Sequence, residues 1–151
     1  MKGLSLLEII IVIGILALLA ALGTGSLLQF SKTTDLNSSV EGSVSLLLEA
    51  RSKTLSSQEE SQYGVHFESD KIVLFKGAAY SSSDPLNEET VLPLPIETAS
   101  ISLNGGGSDV IFKRLTGETD QYGTVTFRLK SDTSRTRILI ILATGVVSTT
   151  P

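Results

Sequence analysis

An α+β fold follows from two patterns in the chain. A single helical pattern occupies roughly the first 55 residues, and behind it come short alternating runs separated by Gly, Asn, Ser and Asp. The sequence predicts a long N-terminal helix packed on a mostly antiparallel β-sheet domain. A third observation bounds the architecture: 151 residues hold one long apolar helix and one small domain, and the chain has no cysteine to staple it. The β-rich part, residues 56–151, is about 95 residues long and buries only a modest share of its surface by itself. The helix is therefore expected to form part of its core.

Taken in order, residues 1–3 read as a short basic leader and residues 4–28 as an almost wholly apolar segment. About 20 to 25 such residues at 1.5 Å each match the hydrocarbon thickness of a bilayer, which predicts one membrane span. Gly23-Thr24-Gly25 interrupts its far end, and each glycine costs about 1 kcal/mol of helix relative to alanine. Two readings stay open for Gly23 and Gly25: a place where the helix unwinds, or small residues that let a neighbouring helix approach. Residues 29–55 continue as the amphipathic half of the same helix. Leu36, Val40, Val44, Leu47, Leu48 and Leu55 form one face, with Lys32, Asp35, Asn37, Glu41, Glu49 and Lys53 opposite.

Ser56 to Ser61 is a polar link without periodicity. Tyr63, Val65 and Phe67 then alternate with Gly64, His66 and Glu68, and Ser69-Asp70 turns the chain into Lys71-Ile72-Val73-Leu74-Phe75, which predicts a hairpin. Further strands are predicted at 99–103, 110–112, 124–129 and 137–142. Lys76 to Thr90 is the longest stretch with no strand pattern, the kind of loop in which binding tends to sit. Val91 to Pro95 carries two prolines and suits an edge strand or a connector.

Glu8 is the most informative single residue, because it places a carboxylate at the head of the apolar segment. Hydrocarbon offers it no partner, so the partner must come from protein. A secretory signal peptide with a loose cleavage site at Ala21-Leu22-Gly23 is spoiled by a carboxylate inside its apolar region. A plain uncleaved anchor, with Lys2 held inside, leaves Glu8 unexplained. A cut between Gly3 and Leu4 supplies the partner as a free α-amine on Leu4, one helical turn before Glu8.

This arrangement resembles the class III signal of type IV pilins and type II secretion pseudopilins: Lys2 as leader charge, Gly3 before the cut, Leu4 as the new terminus and Glu8 five residues into the mature chain. Most family members carry Phe where this chain has Leu4. The globular part resembles the GspH/FimT minor pseudopilin family, in Glu49-Ala50-Arg51, Tyr63 to Phe67, Val91 to Leu94, Ile111-Phe112 with Gly117, Gly123-Thr124-Val125, and Arg137 to Ile140 ending at Gly145. The resemblance implies a pilin-like fold and a structural subunit, most simply a minor pilin or pseudopilin. It implies cleavage and N-methylation at Leu4 by a prepilin peptidase/N-methyltransferase, and assembly in which Glu8 pairs a neighbour's N-terminus. The implied partners are other pilin or pseudopilin subunits, an inner-membrane assembly platform and, before assembly, membrane lipid. The implied location is the inner membrane, single-pass with the globular domain outside the cytoplasm, then a pilus or periplasmic pseudopilus. The alternatives are a major pilin of a disulfide-free pilus, a DNA-uptake minor pilin and a secreted ligand-binding domain.

The inventory for chemistry is thin. There is no Cys, and the one His, His66, shares a strand face with Gly64 and Glu68, which predicts a solvated side chain. Gly105-Gly106-Gly107 lies between strands and reads as a turn, not as a phosphate cradle. An enzyme is not expected, nor any cofactor. Asp84, Glu88, Glu89, Asp109, Glu118 and Asp120 lack the alternation of a known calcium loop and read as a solvated acidic rim. Net charge is −4, which argues against a nucleic-acid surface over the whole domain. Arg128, Lys130, Arg135 and Arg137, with Lys113 and Arg114, are the residues a local DNA stripe would use. The Arg-rich motif by which some relatives bind DNA is replaced here by Gly145-Val146-Val147-Ser148.

Overall fold

The computed structural model describes the backbone of residues 5–150 and the side chains of 5–19 and 31–150. By contact the chain divides into two compact units, Met1–Thr34 and Asp35–Pro151. Helix α1 (Leu6–Leu55) contributes to both.

In the first unit, α1 starts with the Glu8 and Ile9 amides donating to the Ser5 carbonyl. Over 6–19 its side chains, Glu8 apart, are apolar and exposed, with Leu6 77 % and Ile10 62 % exposed. Among the described residues no helix is long and apolar enough to cross a membrane. Leu6 to Leu19 supplies roughly 21 Å of apolar helix at 1.5 Å per residue, against roughly 30 Å of hydrocarbon. The remainder of the predicted span lies beyond the described side chains.

In the second unit, α1 packs through Leu36, Val40, Leu47 and Ala50, all buried in the core. Sequence periodicity predicts Val44, Leu48 and Leu55 on this face as well. Instead Val44 is half-buried and Leu48 and Leu55 lie outside. The buried stripe is completed by Ser43 and Thr54, whose hydroxyls donate to the carbonyls of Ser39 (2.7 Å) and Ala50 (2.8 Å). Bonding back to the preceding turn lets a small polar side chain sit in a core without an orphaned hydroxyl.

Among the described residues eight strands follow: β1 (Tyr63–Phe67), β2 (Lys71–Lys76), β3 (Glu88–Val91), β4 (Ile96–Leu103), β5 (Asp109–Ile111), β6 (Gly123–Leu129), β7 (Asp132–Ile141) and β8 (Val147–Thr150). Where alternation predicts one mostly antiparallel sheet, the structure has two four-stranded sheets, β3-β2-β1-β5 and β4-β6-β7-β8. Every pairing is antiparallel. Both sheets contribute to one core, with Val65, Phe67, Ile72 and Leu74 from the first and Phe127, Leu129, Leu139 and Ile141 from the second.

Strand β2 is buried on both faces, which its continuous apolar run requires. Ile72 and Leu74 join the core, while Val73 and Phe75 pair with His66 and Gly64 of β1 on the opposite face. The 77–87 loop covers that face, with the Tyr80 ring edge-on to Phe75 at 5.7 Å. Gly64 has to be glycine here: a Cβ would stand 2.6 Å from the Phe75 ring and 2.8 Å from the Val110 carbonyl.

Candidate functional site

The residues proposed for processing, Gly3 and Leu4, lie outside the described residues. Glu8 stands in the first turn of α1, where the helix dipole favours a carboxylate. Its side chain is exposed and makes no ion pair among the described residues. The backbone of α1 is helical at Gly23 and Gly25.

The basic residues do not converge. Arg128 faces Glu97 directly across the β4–β6 ladder at 2.6 Å, and Arg135 lies 3.4 Å from Asp132. Arg137 is half-buried with its Nε unpaired, Lys130 is exposed, and Lys113 pairs with Asp120 at 2.7 Å. The Asp120 hydrogen bond holds the Lys113 ammonium above its usual pKa of 10.5.

Part of the acidic rim is engaged in local pairs. Glu88 meets Lys53 at 3.0 Å and Glu89 meets Lys71 at 2.8 Å. Burial works against the Lys53 charge, but hydrogen bonds to Glu49 and Glu88 outweigh it and leave its pKa raised. Among the described residues no three His, Cys, Asp or Glu side chains are grouped to hold a metal ion.

His66 departs from its expected solvated state. Its ring stacks on Tyr80 at 3.9 Å and 11°, and Nδ1 lies 2.5 Å from Asp109 Oδ1. Glu68 approaches Nε2 at 3.7 Å and accepts from the Tyr80 hydroxyl at 3.3 Å. Loss of solvent raises the Tyr80 pKa, and the Glu68 charge adds to it. Alternation assigns His66 to the outer face correctly but carries no signal that the 77–87 loop covers that face. The cluster pins the 77–87 loop to β1 through the His66–Tyr80 stack and the Tyr80–Glu68 hydrogen bond.

A second constellation brings together Arg51, Gly117 and Gly145, which the sequence marks separately as points of resemblance but which lie too far apart in the chain for their meeting to be read from it. Arg51, near the end of α1, donates from Nε to the Gly117 carbonyl at 3.0 Å and from Nη2 to the Thr144 carbonyl at 3.4 Å. It thereby ties the helix to two turns, 113–117 and 142–146. Gly145, with φ +75°, is essential to the junction, since a Cβ there would fall on the Gly117 carbonyl oxygen. Around the junction Leu48, Leu55, Leu115, Leu142 and Val146 are exposed.

A long N-terminal helix whose second half shares one core with two antiparallel sheets defines the class: this is a type IV pilin-like fold. Two crystal forms of the type IV minor pilin FimU from Pseudomonas aeruginosa (strain PAO1) share it. The P65 form matches with a TM-score of 0.57 and 18 % identity over 77 % of this chain and 93 % of FimU. The P21 form matches with a TM-score of 0.61 and 18 % identity over 81 % of this chain and 92 % of FimU. No family model matches the chain and no curated protein matches its sequence.

Proposed function

We propose that the chain is a structural subunit of a type IV pilus or type II secretion pseudopilus, acting as a minor pilin or pseudopilin. What carries this reading is the pilin-like fold on a chain that begins Met1-Lys2-Gly3-Leu4 and places Glu8 at the head of an apolar helix. A prepilin peptidase cuts after Gly3 and methylates Leu4. The subunit waits in the inner membrane with its globular part outside the cytoplasm. It then passes through an assembly platform into a filament.

The driving force is burial of the apolar side chains of α1 against other subunits, about 25 cal/mol per Å² removed from water. Glu8 enters that core as well, where an unpaired carboxylate costs several kcal/mol. A neighbour's Leu4 amine offsets this cost in one register only, which sets the axial order of subunits.

The test is the mature N-terminus, read by intact and terminal-peptide mass from native membranes with and without the peptidase. N-methyl-Leu4 that disappears without the peptidase supports the reading. An intact Met1, or a terminus near Thr24, overturns it. Abundance in sheared filaments then separates minor from major subunit.

A further inference from the structure

Leu94 is 90 % exposed, the most exposed large apolar side chain among the described residues, and Val91 nearby is 71 % exposed. The segment that carries them is rigid. Pro93 and Pro95 fix φ on either side of Leu94. Leu92 and Ile96 are buried as anchors, and the Ile96 amide closes the turn on the Pro93 carbonyl at 2.8 Å. Two neighbouring turns hold it: the Leu92 amide donates to the Asp70 carbonyl at 2.8 Å, and the Lys130 amide to the Pro95 carbonyl at 2.9 Å. Proline brings no N–H, and the amides of Leu92 and Ile96 are already bonded. The tip therefore presents apolar side chains with few polar groups to desolvate.

This tip lies at the end of the second unit where α1 enters it. Leu92 and Pro93 line a pocket of about 170 Å³ together with Ser38 and Ser39 of α1. The Ser39 hydroxyl donates to the carbonyl of Asp35, the first residue of the unit, at 2.7 Å. The Arg51 clamp belongs to the other end of the same stretch of helix. The predicted apolar span ends at Leu28, and residues 29–34 reach no further than about 20 Å even fully extended. With the span in a bilayer, the part of the unit beside Asp35 is the part held at the lipid surface.

We propose that Leu94, with Val91 and the two prolines, dips into the headgroup and upper acyl region of the bilayer while the subunit waits in the membrane. This rests on the membrane span of the reading above. A single leucine holds no free protein on lipid, but the tether makes this contact intramolecular, and weak contacts are populated under that condition. Exposed Lys130 and Asp70 flank the tip with opposite charges, so the contact is apolar and does not call for anionic lipid. Release of this tip from lipid is then a step that each subunit takes on entering a filament.

The chain has no cysteine, so a fluorophore on one introduced cysteine reports one position. The full chain is placed in phosphatidylcholine nanodiscs containing a nitroxide lipid quencher, with the label on Ser131→Cys, Thr116→Cys or Ile13→Cys. Ser131 follows Lys130 at the tip, Thr116 lies in the turn held by Arg51, and Ile13 lies in the span. Quenching is expected at 13 and 131 and not at 116. Adding Leu94→Ser lowers the docked-to-free ratio read at 131 about tenfold, the scale of one partly buried leucine. Because Leu94 packs on nothing in its own domain, the melting temperature stays unchanged, which separates loss of contact from loss of fold.

Quenching at 131 no stronger than at 116, or indifferent to Leu94→Ser, overturns the contact. With 13 quenched, that failure leaves the membrane span standing. An unquenched 13 removes the span itself, and the contact proposed on it. In native-host membranes a photocrosslinker on Ser131→Cys is expected to capture lipid. Capture of a protein instead, whether this chain or another, overturns lipid as the occupant.

Discussion

Replacing Arg51 with Met keeps the aliphatic stem and removes the donors that join α1 to the 113–117 and 142–146 turns. The Nε–H bond to the Gly117 carbonyl is 3.0 Å and partly buried, and a hydrogen bond with one charged partner contributes about 1.5–3 kcal/mol. The Nη2 contact with Thr144 is 3.4 Å and exposed, so it adds little. The sum is about 2 kcal/mol, and for a unit of this size each kcal/mol moves the melting temperature by about 4 °C. Arg51→Met is therefore expected to lower Tm by about 8 °C, measured by far-UV circular dichroism on the full chain in detergent. Hydrogen exchange should accelerate first at the Gly117, Thr119 and Gly145 amides, which are bonded within and between these turns. Arg51→Lys keeps the charge but not the directed Nε–H, so it recovers less than half. A Met variant that melts within about 2 °C of the parent, with those amides unchanged, would show that the turns are fixed by their glycines and not by the guanidinium.

Thr54→Val leaves the buried Tyr63 amide without the hydroxyl it donates to at 2.9 Å. It is expected to cost about 1–3 kcal/mol in urea unfolding, with Thr54→Ser costing far less, and equal losses in both variants would refute the hydrogen-bond account. Glu8→Ala should spare membrane insertion and cleavage yet block incorporation, measured as variant in sheared filaments against variant in membranes; normal filaments would sink the pairing argument. At the β6–β7 turn the Ser134 hydroxyl, then the Ser134 amide and Arg135, hold Asp132 below the usual 3.8. A lowered carboxyl pKa means the contribution is complete above pH 3.8 and is lost as pH falls through the folded value. In NMR the Asp132 carboxyl should titrate below 3.8 and move back towards it in Ser134→Ala, and an unmoved titration would contradict the assignment.

The sequence is most legible where one periodicity rules a whole element. Tyr63 to Phe67 and Lys71 to Phe75 declare a hairpin because alternation and the Ser69-Asp70 turn agree. Legibility fails where burial comes from a partner that local pattern does not name. Strand β8, Val147-Ser148-Thr149-Thr150, has one apolar residue and becomes a strand by pairing with β7. Strand β3, fully exposed and beginning Glu88-Glu89, reads as loop and exists by pairing with β2. Alternation assigns residues to faces but not strands to neighbours, so it cannot tell one sheet from two. Helical spacing likewise marks an apolar sector on α1 without saying which edge of it is covered, and Leu48 and Leu55 fall on the exposed edge.

Backbone conformation separates turns that only turn the chain from one that presents a side chain. Left-handed positions between β4 and β5 are taken by Gly105, Gly106 and Gly107, and those at the Arg51 clamp by Gly117 and Gly145. Glycine meets the conformational demand there without strain. The described residues other than glycine with positive φ are Ser57, Glu59, Glu60 and Leu115, and leucine is the apolar one. Ser57, Glu59 and Glu60 lie at the polar end of α1, where Glu59 also reaches Lys76. A turn that needed only its shape would be served at position 115 by glycine or asparagine. Leucine meets that demand only under strain, and its 85 % exposed side chain gains nothing from the core of its own domain to offset it.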